Sequence, residues 1–517
     1  MPGTSQITYD DAVTRMYALG HELANQPSHK FDLGHMRRLL RELGSPETKF
    51  PAVLIAGTNG KGSTAATLAS ILQSAGYRTG LYTSPHLLRI NERVRVSPSP
   101  LPQGLKPESF QGEDRRAEAL RHPKAMADAR AGAGAKAIAD ARAGAGAIAA
   151  AEAISDDDFA RLHDRVDRAA QELVNKGELP WHPSFFEMIT AIAFQHFAEV
   201  SVDIAVLEVG MGGRLDATNV VEPLVSVIAD IALDHQQYLG NTIAEIAIEK
   251  AGILRLGGVA VTLPQMPEAN DALGHAMVER NARGVNATQF VPPISPGASQ
   301  LRTPLTRFRV GGEEPIGEER IGQEYRLQVF GQDILVQTPL LGRHQLRNVA
   351  LAIATAEELT KQDFKITAAN IAQGIRETRW PGRLQSVVVS EQEYLFDVAH
   401  NPAGAWALRS ALSELFDGRP LTFVFGAMRD KAISEMAEIL FPLADRVITT
   451  SANNPRSASS EEIRTAAGRV AVDFESAANV SDALRQARAA AGQNGLVVVT
   501  GSIYIVGEAM RELGLRI

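Results

Sequence analysis

Residues 53–64, V-L-I-A-G-T-N-G-K-G-S-T, constrain this chain more than any other stretch. An apolar run, Val53-Leu54-Ile55-Ala56, suits a buried strand. The chain then turns through Gly57, Thr58, Asn59, Gly60, Lys61 and Gly62, and from Ser63 to Leu72 it continues in a helical pattern. That order can cradle phosphate. Glycines let backbone N–H groups approach an anion, the helix N-terminus adds partial positive charge, and a lysine adds a full one. The spacing is not that of switch-type NTPases, which would need glycine at Ile55 and a hydroxyl directly after Lys61, where Gly62 stands. Taken alone, the stretch reads equally as a phosphate loop or as a Gly-rich strand-to-helix turn.

At 517 residues the chain exceeds one ordinary core, so two or three domains are expected. A net charge of −8 argues against nucleic acid as the main partner, which needs a dominant basic surface. No window approaches the roughly 18 apolar residues of a membrane span, and residues 1–11 lack the basic and apolar regions of a secretory signal. Cysteine is absent, which excludes disulfides, thiolate zinc sites and cysteine nucleophiles and suits a reducing cytoplasm. A cytoplasmic, monomeric α/β protein with no nucleic-acid or membrane partner is expected.

Helical spacing over residues 8–45 fits two helices, broken at Pro27-Ser28-His29. A strand at 79–83 stops at Ser84-Pro85-His86, since proline forbids simple continuation. Residues 97–155 change character. Proline is dense to Pro107, and an Ala/Gly segment at 127–138 nearly repeats at 139–148. Such a repeat has little side-chain area to bury, so a surface insertion is expected. Near-continuous apolar runs at 203–210 and 224–233 mark strands covered on both faces, as in parallel sheets. They deliver Glu208 and Asp234-His235. Residues 242–254 read as a helix with Lys250 on the face of Ile243 and Ile246. A polar excursion is expected at 292–323. Arg379-Trp380-Pro381-Gly382-Arg383 looks like a junction, followed by strands at 394–398, 421–425, 446–450 and 496–500. Domains of 1–378 and 379–517 follow, both α/β, the first with a mainly parallel sheet.

Ser84, Glu208 and His235 each follow the C-terminal end of an expected strand, as the Gly-rich loop does. Open parallel sheets bind ligands at that edge. Hydroxyl and carboxylate oxygens suit magnesium bridging phosphates, while a histidine suits it less. Each residue also has a plain structural reading: Ser84 as a helix cap, Glu208 as a cap or ion pair, His235 as a loop donor. A lysine on an apolar face, as at Lys250, is desolvated toward its neutral amine, which can take up carbon dioxide as a carbamate. The alternative is a lysine snorkelling to water from the rim of that face.

Seven ordered segments carry a closer identification: G-T-N-G-K-G-S-T, T-S-P-H with N-E-R-V-R-V, L-E-V-G-M-G-G-R-L-D-A-T-N, A-L-D-H, E-K-A-G-I, R-W-P-G-R-L-Q and F-D-V-A-H-N-P. Together they resemble the folylpolyglutamate synthase/dihydrofolate synthase family of the Mur ligase superfamily, over nearly the whole chain outside 97–155 and 292–323. The resemblance implies an N-terminal P-loop domain and a smaller Rossmann-like C-terminal domain. It implies an ATP-dependent amide ligase that phosphorylates a folate or dihydropteroate carboxylate and joins it to L-glutamate. By resemblance, Gly57, Thr58, Asn59, Gly60, Lys61, Gly62, Ser63, Asn348, Arg383 and Asp397 bind ATP. Ser84, Glu208 and His235 hold two magnesium ions, Lys250 is carbamylated, Lys61 spreads the charge of phosphoryl transfer, and His400 lies near the reacting groups with no sharp role assigned. Asp32, Leu33, Gly34, Ser184, Leu215, Asp216 and Ala217 match pteroate-binding positions of bifunctional members. Gln236-Gln237 and Asp230 depart from the pattern, the latter replacing a small polar residue, without removing a group the mechanism needs. Two other readings are weighed. A cell-wall Mur ligase would need an added N-terminal domain, whereas only about 50 residues precede the loop. A nucleotide switch would bind nucleotide without glutamate-dependent phosphate release.

Overall fold

The computed structural model describes residues 7–20, 32–98, 151–293, 302–305, 319–468, 470, 474–492 and 494–515. Eight strands form one sheet in the spatial order β4-β3-β2-β5-β1-β6-β7-β8. They are β1 (Ala52–Ala56), β2 (Thr79–Tyr82), β3 (Val94–Val96), β4 (Glu152–Ala153), β5 (Ile204–Glu208), β6 (Val225–Ile228), β7 (Val259–Thr262) and β8 (Arg283–Asn286). Every neighbour pairing from β2 across to β8 is parallel. Only β3 and β4, at one edge, run antiparallel to their neighbours.

The central strand explains the apolar run of the sequence. Ala52, Leu54 and Ala56 enter one hydrophobic cluster, and Val53 and Ile55 enter the cluster on the opposite face. A parallel strand covered on both faces has no polar side to show, so alternation disappears. Fully burying each of the larger side chains contributes about 1.5–3 kcal/mol. The helix Lys61–Ser74 then packs against the helices Arg343–Thr360 and Ala368–Arg376. Ser70 Oγ donates to Gly374 O at 2.6 Å, which ties the last of these to the first sheet.

The second sheet has the order β13-β14-β18-β15-β16-β17. Its strands are β13 (Gln385–Val389), β14 (Gln392–Phe396), β15 (Leu421–Phe425), β16 (Arg446–Thr449), β17 (Phe474–Ser476) and β18 (Leu496–Thr500). All its pairings are parallel except that of the edge strand β13 with β14. Phe423 and Phe425 enter one core and Val424 the other, repeating the logic of β1. Between the two sheets in sequence, β9 (Arg302–Leu305) pairs with β10 (Glu319–Ile321), and β11 (Gln323–Val329) forms a hairpin with β12 (Gln332–Thr338). The rest of the 292–323 excursion lies largely outside the described residues, as do residues 99–150 of the expected insertion. Among the described residues no helix is long and apolar enough to cross a membrane.

One strand differs from expectation. The apolar run at 224–233 pairs as a strand only to Ile228. Ala229 N donates to Ala56 O at 2.8 Å, and Asp230 O then accepts Thr58 N at 2.8 Å and Asn59 N at 3.1 Å. The backbone beyond Ile228 is used to brace the Gly-rich loop, not to extend the sheet. β13 was not foreseen either: it is an edge strand of mixed burial, with no continuous apolar run to announce it.

Candidate active site

The loop after β1 sits at the carboxyl edge of the sheet, between β5 and β6. Gly60 stands before the first turn of the helix Lys61–Ser74 with φ +84°. A Cβ there would lie 2.2 Å from Asn348 Oδ1, so both conformation and space require glycine. At Gly62 a Cβ would lie 2.7 Å from Trp380 Cζ2, so the junction residue covers the start of the helix. Thr58 Oγ1 donates to Ala232 O at 3.0 Å and accepts Ala232 N at 3.1 Å. Lys61 Nζ donates to Thr58 O at 3.2 Å, arching back over the turn.

Glu208, Ser84 and His235 reach the same edge from β5, β2 and the segment after β6. Glu208 is 4% exposed, and its Oε2 accepts Ser84 N at 3.1 Å. Burial raises the Glu208 carboxyl above its ordinary range, opposed by Lys61. A buried carboxylate short of counter-charge, with a serine beside it, is a fitting place for a divalent cation. His235 has φ +50°, an uncommon conformation for this residue type, and desolvation lowers its ring to about 4, so it is neutral at pH 7 and able to ligate. Among the described residues no group of three or more His, Asp or Glu forms a metal cage. Two or three protein ligands completed by phosphate oxygens and water are the usual arrangement for magnesium.

Lys250 lies in the helix Ile243–Ala251 and is 3% exposed. Its Nζ donates to Gly57 O at 2.9 Å, on the phosphate loop itself. Desolvation, reinforced by Lys61, brings its pKa down to about 7. The ammonium does not snorkel; it is held under the loop, half neutral at physiological pH.

The second sheet supplies the opposite wall. Asp397, after β14, accepts Leu384 N at 3.0 Å and Ala399 N at 2.9 Å, and burial pushes its carboxyl up to about 6 against the pull of Arg383. Arg383 places its guanidinium 5.7 Å from the Trp380 ring centre. His400 Nδ1 donates to Val398 O at 2.9 Å, which leaves Nε2 3.8 Å from Asp234 Oδ2. Asn348, 2% exposed, donates to Gln345 Oε1 at 2.9 Å.

All of these groups line one cavity of about 1040 Å³, together with Asp32, Leu33, Ser184, Leu215, Asp216 and Ala217. Gly34 is the one candidate that does not line it. Asp32 caps the helix Leu33–Glu42 by accepting Gly34 N at 2.8 Å. Ser184 caps the helix Phe185–Glu199, with Glu187 reaching back to it. The Asp216 carboxylate accepts Met211 N, Thr218 N and Thr218 Oγ1, so it holds its loop in shape at the cavity wall.

Several residues in and beside the cavity make contacts that the sequence does not show. Lys431 Nζ donates to Asp234 Oδ1 at 2.8 Å, with side chains only 9% and 11% exposed. Asn401 Nδ2 reaches both Asp234 Oδ2 at 3.3 Å and Asn59 Oδ1 at 3.1 Å. Against the cost of burial, the Lys431 ammonium helps hold the Asp234 carboxyl well below the usual carboxylate range. Lys431 follows β15, so the rule that singled out Glu208, applied to the second sheet, would have found it. Arg347 and His344 line the cavity from the start of the helix Arg343–Thr360.

Two family models match the chain: the Mur ligase middle domain over residues 187–356 and the Mur ligase glutamate ligase domain over residues 382–503. The chain is 31% identical to the dihydrofolate synthase/folylpolyglutamate synthase of Bacillus subtilis, over 93% of this chain and 94% of the relative. It is similar to the structure of Mycobacterium tuberculosis folylpolyglutamate synthase complexed with ADP (TM-score 0.73, 28% identity, 98% of each chain). It is also similar to that of E. coli FolC in complex with DHPP and ADP (TM-score 0.70, 25% identity, 99% of each chain). With this identity over nearly the whole length of a relative and both Mur ligase models matched, this chain belongs to the folylpolyglutamate synthase/dihydrofolate synthase family of Mur ligases.

Proposed function

We propose that this protein joins L-glutamate to a folate, and to dihydropteroate, in an ATP-dependent reaction through an acyl phosphate. The observation that carries the reading is convergence: the phosphate loop, the buried Lys250 beneath it and the Arg383–Asp397 wall of the second sheet line a single cavity. The ADP and DHPP bound by the similar structures named above support it.

In this reading residues 57–63 and Lys61 receive the phosphates of ATP, and Asn348, Arg383 and Asp397 hold the nucleotide from the facing wall. Ser84, Glu208 and His235 would hold magnesium, which supplies neutralising charge where phosphoryl transfer concentrates it. A carboxylate oxygen of the folate attacks the γ-phosphorus and ADP departs. The glutamate amine then attacks the acyl carbon, the C–N bond forms, the C–O bond to phosphate breaks, and the ammonium proton is lost to solvent. The neutral Lys250 amine would add to carbon dioxide and lose a proton to solvent, and the resulting carbamate would supply an anionic oxygen donor beside the residues that would hold magnesium. Asp32, Leu33, Ser184, Leu215, Asp216 and Ala217 line the end of the cavity where a pteroyl group would lie.

The test is phosphate release from ATP, magnesium and L-glutamate with dihydropteroate or tetrahydrofolate as the acceptor. The expected result is glutamate-dependent release with both acceptors. No release with either overturns the folate reading, and release with tetrahydrofolate alone overturns the bifunctional one.

A further inference from the structure

The phosphate loop is braced through one residue of the segment after β6. Asp230 uses its backbone carbonyl to accept the N–H groups of Thr58 and Asn59, at 2.8 and 3.1 Å. Those two amides hold the middle of the loop in place. The Asp230 carboxylate is gripped in turn by Arg347. Arg347 Nε lies 3.1 Å from both carboxylate oxygens, and Nη2 lies 2.6 Å from Oδ1. Nη2 also donates to Pro264 O at 3.0 Å, which anchors the guanidinium to the segment beyond β7. The next residue, Asn348, presses its Oδ1 against Gly60 on the other side of the loop. Both Asp230 and Arg347 line the cavity.

We propose that Asp230 and Arg347 act as a positioning pair for the nucleotide, locking the phosphate loop and the Asn348 end of its helix into one register. The argument is geometric. A planar guanidinium meeting a carboxylate through two nitrogens fixes orientation as well as distance, which a single-point contact does not. The pair thereby links three segments far apart in sequence: the loop after β1, the bracing segment after β6 and the start of the helix Arg343–Thr360. The two side chains are each about one-third exposed, so their contribution to global stability is small and their effect is local. This inference rests on the reading of the cavity as an ATP site.

Steady-state kinetics with ATP varied, and ADP affinity by calorimetry, test it in the full-length protein. Asp230→Asn and Arg347→Gln should each raise KM for ATP and weaken ADP about fivefold, as loss of a well-formed, partly exposed bidentate pair warrants. The maximal rate and KM for the folate acceptor should stay within about twofold, and Tm within about 2 °C, because the backbone brace persists. The double variant should be no worse than the poorer single one, since both remove the same interaction. Arg347→Lys, which keeps the charge but not the fork, should fall between Arg347→Gln and wild type, and it carries the test if Arg347→Gln fails to fold. Wild-type KM for ATP in the single variants, effects that multiply in the double variant, or a fall in Tm with unchanged KM would each overturn the pairing. A wild-type protein that neither turns over nor binds ATP overturns the active-site reading itself, a result distinct from any of these.

Discussion

The two sheets meet the cavity in different ways. The first presents a backbone device: a loop shaped by main-chain hydrogen bonds to Ala229 and Asp230, with Glu208 and Lys250 buried beside it. The second presents side chains, with Arg383, Asp397, His400 and Lys431 projecting from its strand ends and junction. The contacts between the two halves include Lys431 with Asp234, Asn401 with Asn59, Leu87 against Gly507, and Trp380 over Gly62. Walls from two separate sheets can enclose reacting groups away from water.

The strongest way to break the comparison is to damage the first half at its centre. Lys250→Ala should abolish activity, by at least about 1000-fold, because it removes the group that would carry the proposed carbamate under the loop. A short-chain carboxylic acid should restore part of it. Full activity in the unrescued variant would show that no carbamate is needed. Damage to the docking should cost less. Asp234→Asn leaves Lys431 buried without its counter-charge, and breaking such a pair costs about 3 kcal/mol, or about 100-fold in kcat/KM. ADP binding through residues 57–63 should survive in part, weakened by the loss of contacts from Arg383 and Asp397 but less than kcat/KM, so calorimetry with ADP separates the two walls. Equal loss of ADP binding would mean that they do not act independently. A smaller wedge is Gly62→Ala, whose methyl group meets Trp380 and Glu208. About a tenfold loss in kcat is expected, with quenching of tryptophan fluorescence by solvent reporting the opened junction. A separate effect is on stability. Lys250 binds its proton below about 7 in the folded protein but below its ordinary value of 10.5 when unfolded. The unfolded chain therefore holds the extra proton between those values, and stability should rise with pH across that window by up to about 1.4 kcal/mol per pH unit. That slope should vanish in Lys250→Met, as denaturant titrations at several pH values would reveal.

Much of the first half was legible in the sequence because its signals are local. A strand buried on both faces reads as an unbroken apolar run, as at β1 and β5, and residues at strand ends fall on one edge by topology alone. Lys250 was legible because helical spacing placed it among isoleucines. What escaped is what depends on distant partners. Asn401 meets Asn59 across 342 residues, and Arg347 meets Asp230 across 117. Nothing in either segment announces the other. The apolar run at 224–233 misled for a related reason: hydrophobicity continues past Ile228, but the hydrogen bonds there go to the loop. The edge strand β13 escaped because partial burial leaves a mixed pattern.

The central claim, that the two walls together make and consume an acyl phosphate, has a direct test. Dihydropteroate labelled with 18O in its carboxylate, incubated with ATP, magnesium, L-glutamate and the protein, should transfer one labelled oxygen to inorganic phosphate for each amide formed. The carboxylate oxygen that attacks phosphorus is the one that leaves with it. Amide product accompanied by unlabelled phosphate would contradict the account.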